Sequence, residues 1–277
     1  MTVPVISITD LSCPPEDPGD HLDLLLAYGL PELDLRAVIL DGRDPGVTAV
    51  SRLNAIFGRD VPVAWCPSTP MRDPNDRMYD APPSQQRGAD LLIHALADSP
   101  EPVHLLSFGS ARPVAVAYNR APEVFHEKVA RIHLSARDTD LDPQAGVRIV
   151  DTGLPLSRYS ASWELPDLKW IEEMHPWLRR YLGSALGPSA RPDFLRDLED
   201  DAAADVMADI YQRRHTVRTT ALWLEVSGRQ LVRRTDGSHA IIPAAEVSAG
   251  DTVTSNEQVL IEAWPALYQS LSPSGLS

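Results

Sequence analysis

Residues 3–40 read VPVISITDLSCPPEDPGDHLDLLLAYGLPELDLRAVIL, and the rest of the chain is best interpreted from this stretch. Val3 to Thr9 is a short β-branched run ending in Asp10, the pattern of a buried strand. A Pro-rich loop follows from Leu11 to Gly19. From Asp20, the segment HLDLLLAYG predicts a helix that closes at Gly29, and Leu35 to Leu40 predicts the next strand. A strand, loop, helix, strand unit of this kind is normally a right-handed parallel crossover.

The unit recurs. Asp44 can cap a helix with Pro45 at its first position, running to about Phe57, and VPVAW at 61–65 predicts a strand. Helices are expected over Gln86–Ala97, Ser110–Asn119 and Gln144–Thr152, and strands over Val103–Ser107, Val129–Leu134 and Leu154–Ser160. Such alternation implies an α/β fold built on an open, doubly wound, mostly parallel sheet flanked by helices. The pattern then changes. Leu165–Leu186 looks helical and Trp-rich, with Trp170 and Trp177 placed to share one face, more in the manner of a core or oligomer contact than a sugar platform. Arg191–Tyr211 looks like one or two acidic helices, and Trp223–Ile242 like a small β-meander with turns at Ser227-Gly228 and Asp236-Gly237. One domain over 1–277 is expected, with an α/β core at 1–160 and a helical and β-meander part at 161–277. Pro67–Pro83 is a long loop without periodicity, which suits a functional loop and a disordered insert equally.

Composition narrows the classes. The net charge of −14 and the absence of a Lys/Arg cluster argue against nucleic acid and anionic membrane partners. Only Lys128 and Lys169 are lysines, so nearly all positive charge is arginine, as GC-rich bacterial coding favours. No apolar run approaches a membrane span, and MTVPVISITD lacks the marks of a signal peptide, so a cytoplasmic location is expected. Cys13 and Cys66 are too few for a disulfide framework and have no CxxC spacing.

The segment 10–23 concentrates carboxylates where an open α/β sheet binds ligands, outside the carboxyl ends of its strands. Asp10 ends the first strand, and Asp17 and Asp20 flank the entry to the first helix. Converging carboxylates repel one another, and a hard cation such as Ca²⁺ relieves that repulsion. The cluster reads equally as a metal site and as helix caps, since carboxylates at a helix N-terminus are stabilising anyway. Asp23, one turn on, reads as a solvated or helix-pairing residue.

The order strand, Asp, Pro/Gly loop, Asp, then LLLAYGLPELDLRAVIL resembles the start of the inosine–uridine nucleoside hydrolase family, whose members carry DxDPGxDD, an apolar helix and a PE-containing turn. VHLLSFGSARPVAVAYNRAPEVFHEKVARIHLSA resembles the family's later strand, Gly-turn, helix and strand block. DLDPQAGVRIVDTGLP resembles its DP-initiated helix. The likeness covers about residues 3–160.

It implies a nucleoside hydrolase-like, Rossmann-like fold and a Ca²⁺-dependent enzyme. Asp20 falls on the last Asp of the motif, a metal ligand, and Asp10 near the strand-end ligand. Gly19 falls on the family's general base, so Asp17 is the replacement ligand or base. The catalytic candidates are therefore Asp17 and Asp20, and the metal candidates are Asp10, Asp17, Asp20 and Arg112. Arg112 falls near a threonine that binds the metal through its backbone carbonyl. Asp44 falls on a substrate-contacting Asn, and reads equally as an N-cap. Asp138 falls on a sugar-binding Asn, with a plain loop carboxylate as its other reading. The family's ribose-gripping glutamate is replaced by Ala136. Its late His-Asp pair has no clear match, with His215 the nearest candidate and a helix-surface His the plainer reading. His21, His215, Trp65 and Tyr79 could help a leaving group, but structural roles suit each better.

Other motifs are weak. Ser107-Phe-Gly-Ser110 lacks the GxSxG of a nucleophile elbow, and no GxGxxG, GxxxxGK[ST] or zinc-type His/Cys spacing occurs. The sequence thus predicts a hydrolase that cleaves the N-glycosidic bond of a nucleoside-like small molecule with a Ca²⁺-held water and an Asp base, possible also as a homo-oligomer. The alternative is a hydrolase-like protein that has lost hydrolysis and binds its ligand, or serves biosynthesis on a substrate that is not a nucleoside.

Overall fold

The computed structural model describes residues 2–11, 19–42, 46–135, 142–159, 177, 181, 197–199, 202–203 and 220–271. Six strands form one parallel sheet: β1 (Val3–Thr9), β2 (Leu33–Asp41), β3 (Val63–Cys66), β4 (Val103–Ser107), β5 (Val129–Ser135) and β6 (Leu156–Tyr159). Their order across the sheet is β3-β2-β1-β4-β5-β6. Every neighbouring pair is parallel, with Ser7 facing Val38 on one side and Leu106 on the other. This is the doubly wound arrangement expected from the recurring crossovers.

The connecting helices are α1 (Gly19–Gly29), α2 (Gly46–Phe57), α3 (Pro83–Ala97), α4 (Arg112–Arg120), α5 (Pro122–Lys128) and α6 (Pro143–Asp151). They divide between two faces. Leu22, Leu25 and Leu26 of α1 and Val50 and Leu53 of α2 join Val38 and Leu40 in one core, whereas Leu92 of α3, Val114 of α4 and Ile149 of α6 join Ile6, Ile8 and Ile39 in the other. Over Ala37–Leu40 of β2, Val38 and Leu40 serve one core and Ala37 and Ile39 the other, which is why AVIL reads as an unbroken apolar run; a register shift beside Arg36 puts Leu33 and Leu35 in the same core as Val38.

The elements differ from expectation at several points. Trp223 lies in a helix, α7 (Thr220–Ser227), and is fully buried; the antiparallel sheet starts after it with β7 (Arg229–Arg233) and β8 (His239–Pro243), and β7 also pairs with β9 (Thr252–Val253). An apolar TALWLEVS has no polar face to betray its helical period, so a strand reading was natural. A last helix, α8 (Glu257–Ser270), and the short α5 were not anticipated. The proposed helices at 165–186 and 191–211 lie largely outside the described residues. Among the described residues, no helix is long and apolar enough to cross a membrane.

These late elements close over α1. Tyr268 of α8 donates to the Leu22 carbonyl at 3.0 Å, and a Cβ on Gly29 would lie 2.8 Å from Leu271 Cδ2. Arg229 grips Glu32 through both Nε (3.2 Å) and Nη2 (3.0 Å), tying β7 to the α1–β2 turn. Cys66 is buried and free, and burial pushes its thiol up to about 12, leaving it inert.

One polar pair sits within the sheet. His104 Nδ1 and His133 Nε2, on β4 and β5, are 2.9 Å apart with rings stacked at 5.3 Å. Burial, then His104 and Arg131, lowers His133 to about 4; burial and Arg131 lower His104, against the pull of Glu225. Both rings are neutral at pH 7, one donating to the other. Unfolding releases His133 to its ordinary value of 6.5, so the unfolded chain binds more protons below that pH. The stability it contributes is complete above pH 6.5 and lost as pH falls through about 4. The thermal midpoint should therefore fall over that window, and His133→Gln should flatten the fall; identical pH profiles for the two proteins would refute the assignment.

Candidate active site

Strand order reverses at β1. The chain leaves β1 for α1 on one face and leaves β4 for α4 on the other, so the carboxyl ends of β1 and β4 border a crevice. Asp10 stands at this point, half-buried. Leu11 beside it is buried with φ of 29°, a left-handed conformation that a Leu rarely adopts and that marks a bend held by its surroundings. The first turn of α1 brings Asp20, 6% exposed, where the helix N-terminus favours a carboxylate.

His21 is wholly buried beside them, its Nδ1 3.0 Å from the Tyr181 hydroxyl. Burial lowers it to about 4, against the opposing influence of the Asp10 carboxylate and the Leu11 backbone. It is therefore neutral at pH 7 and packed away from solvent, which suits a structural role. Asp23 is buried too, near the Tyr268 phenol that burial and the Asp23 carboxylate raise. The solvated role expected for Asp23 is corrected here: α1 is covered on every side, so even its polar positions are interior.

The structure also places a carboxylate that sequence reading passed over. Asp41 ends β2, 2% exposed, and accepts a hydrogen bond from the Ser110 N–H in the β4–α4 turn. Because β1 lies between β2 and β4, that bond passes across the carboxyl end of β1. Gly109 makes room for it: a Cβ there would lie 2.7 Å from Asp41 Cγ and 2.8 Å from Oδ1. The signal was the same as for Asp10, a carboxylate closing a buried apolar strand.

Arg112 opens α4. Its N–H bonds to Ser110 Oγ at 3.1 Å, and its guanidinium donates to the Thr69 carbonyl and hydroxyl and to Asp76 Oδ2 at 3.2 Å. A first-turn carbonyl is directed along its own helix, so the visible contribution of Arg112 is its side chain. The long segment it holds, 67–82, is ordered throughout. Asn119 donates to the Pro74 and Asp76 carbonyls, both at 2.8 Å, and Arg120 to the Arg77 carbonyl at 2.8 Å. Asp142 caps α6 through Ala145 N–H and receives Met71 N–H at 3.0 Å. Buried Met71 and Met78 anchor the segment from below. An open cavity of about 720 Å³, lined by Thr69, Arg72, Asp73, Asp76, Asp80 and Arg112 among others, lies along this rim.

Of the residues proposed from sequence, Asp10 and Asp20 border the crevice from β1 and α1, and Arg112 stands on its far side. Asp17, Asp44, Asp138 and His215 lie outside the described residues. Among the described residues, no group of three Asp, Glu, His or Cys side chains is arranged to hold a metal.

No family model matches the chain. Against solved structures, the inosine-uridine preferring nucleoside hydrolase from Bacillus anthracis superposes with a TM-score of 0.55 over 97% of this chain and 100% of that one, at 14% identity. The chain has the nucleoside hydrolase fold. The type III effector protein XopQ, complexed with adenosine diphosphate ribose, shares it with a TM-score of 0.56, covering 98% and 94% of the two chains at 17% identity. In sequence, the chain is 29% identical over 176 residues to the pyrimidine-specific ribonucleoside hydrolase RihA of Citrobacter koseri, covering 50% of this chain and 56% of that protein. It spans a little over half the length of the curated relatives it matches, 56% and 59% for the first two. Sequence and structure together support membership in the nucleoside hydrolase superfamily, at low identity.

The Asp41–Gly109 packing gives a direct test of this crevice wall. Gly109→Ala should destabilise the protein by ~1–3 kcal/mol, as overpacking does, and lower its thermal midpoint. An unaltered midpoint would show that the carboxylate is not held against the turn.

Proposed function

We propose that the protein hydrolyses an N-glycosidic bond of a nucleoside-like small molecule at the crevice between β1 and β4. The observation that carries this reading is the pair Asp10 and Asp20 bordering the switch point of a nucleoside hydrolase fold. Their donor chemistry fits Ca²⁺, which takes hard carboxylate oxygens in a flexible shell. Asp20 is buried at the N-terminus of α1, where the helix end favours its negative charge. Asp10 and Asp20 would hold the ion, with Asp17 as the third carboxylate. Bound there, Ca²⁺ would orient a water and the sugar hydroxyls.

The chain's own residues have the following tasks. Cleavage adds water to the anomeric carbon and breaks the bond to the base, through an oxocarbenium-like state. A carboxylate must take the water's proton as it attacks, a contribution of roughly 10²–10⁴-fold. Gly19 has no proton-accepting side chain, so this role falls to Asp17, with Asp20 as the other candidate. The polar rim of Thr69, Asp76 and Arg112 offers both donors and acceptors to a polar leaving group.

A second reading has its own support. Gly19 stands where the family resemblance expects the base, and XopQ pairs this fold with bound adenosine diphosphate ribose. A protein of this fold that binds a ribosyl ligand without turnover is consistent with both.

Calorimetric titration of metal-stripped protein with Ca²⁺ should show binding that Asp20→Ala and Asp10→Ala abolish. Loaded protein should then release free base from a nucleoside panel, and Asp17→Ala should reduce release at least ~100-fold, the lower range for a lost general base. Nucleoside binding with no base released would favour the second reading. No Ca²⁺ binding would sink the metal-assisted mechanism.

A further inference from the structure

The hydrogen bonds at the carboxyl edge run in series through three connecting segments. Asp41, at the end of β2, holds the Ser110 N–H; the Ser110 hydroxyl holds the Arg112 N–H; the Arg112 guanidinium holds Thr69 and Asp76. We propose that Asp41 is a positioning residue of this edge, ordering the β4–α4 turn and, through Ser110 and Arg112, the 67–82 rim that walls the neighbouring cavity.

The first link is a hydrogen bond to a carboxylate, stronger than a neutral one and directional. It also makes demands on the sequence that a simple turn would not. A carboxylate must be buried at a strand end, and the facing turn residue must be glycine, because any side chain at 109 would occupy the carboxylate's place. The last link is a guanidinium fork, which bonds carbonyl, hydroxyl and carboxylate acceptors at once and so fixes the orientation of the strap. Asp142 holds Met71 N–H and Asn119 the Pro74 and Asp76 carbonyls, with Arg120 on Arg77 beyond them, so the groups that should loosen first when Asp41 is removed are those Arg112 holds, Thr69 and the Asp76 carboxylate. The effect on substrate rests on the hydrolase reading; the effect on the rim does not.

Hydrogen exchange on the full chain tests the series, comparing wild type, Asp41→Ala, Asp41→Asn and Arg112→Gln. Asp41→Ala should speed exchange of the 108–112 amides and of the 69–76 amides by about tenfold or more, while leaving β7 and β8 unchanged, since a protein opens locally where its hydrogen bonds have been weakened. Asp41→Asn keeps an oxygen acceptor for Ser110 and should restore most of the protection. Arg112→Gln should loosen 69–76 alone. With a nucleoside that is turned over, Asp41→Ala should raise KM more than it lowers kcat, because it disturbs the wall and not the reacting carboxylates. Faster exchange confined to 108–112 in Asp41→Ala would reduce Asp41 to a local cap and overturn the proposal. If Asp41→Ala exchanges faster everywhere, the Arg112→Gln protein decides: an unchanged 69–76 segment there overturns it equally. Lack of turnover in wild type would count against the hydrolase reading and leave the exchange result standing.

Discussion

Both β2 and β4 hydrogen-bond to β1, and the connections that follow β1 and β4 must leave for opposite faces of the sheet. That divergence is a constraint of the parallel crossover rule, and it opens the sheet at one place only along its carboxyl edge. Three carboxylates of the described residues gather there. Asp10 ends β1, α1 delivers Asp20, and Asp41 reaches across from β2 to the turn after β4. The crevice is therefore a product of topology, and the residue types at the strand ends decide what it holds.

The second determinant is the burial of α1. Most surface helices keep a polar stripe for water, yet Asp20, His21, Asp23 and the leucines of α1 are all interior. The sheet covers one side, and Tyr181, Trp223, Tyr268 and Leu271 contribute to the cover on the other. One of its polar groups meets a protein partner directly, His21 Nδ1 on the Tyr181 hydroxyl. A neutral buried His and a carboxylate at the helix start lie a residue apart because the two face different surroundings.

The parallel core was legible because its strands are continuous apolar runs separated by helix caps, prolines and glycines. The places of Asp10 and Asp20 in the fold were legible for the same reason, at predictable strand and helix ends. Trp223 was misread because a short helix with only Glu225 exposed among its described positions has almost no amphipathic period. Asp41 carries the same local signal as Asp10, a carboxylate closing an apolar strand, but its partner 69 positions further on is visible only in the folded chain. The order of segment 67–82 was equally hidden. Its anchors are Arg112, Asn119, Arg120 and Asp142, each of which reads locally as an ordinary helix residue or cap, and only the folded chain brings them to one strap.

The closure of α8 over α1 has a consequence for biosynthesis. Leu22 and Gly29 emerge early from the ribosome, but the residues that cover them, Tyr268 and Leu271, come much later, Tyr268 trailing Leu22 by 246 positions. At about 5–20 residues per second, the first helix waits of the order of ten seconds or more with one apolar flank uncovered. The nascent N-terminal half is thus a natural client for chaperones, and a truncation just before α8 would leave a sticky core where the full chain has a sealed one.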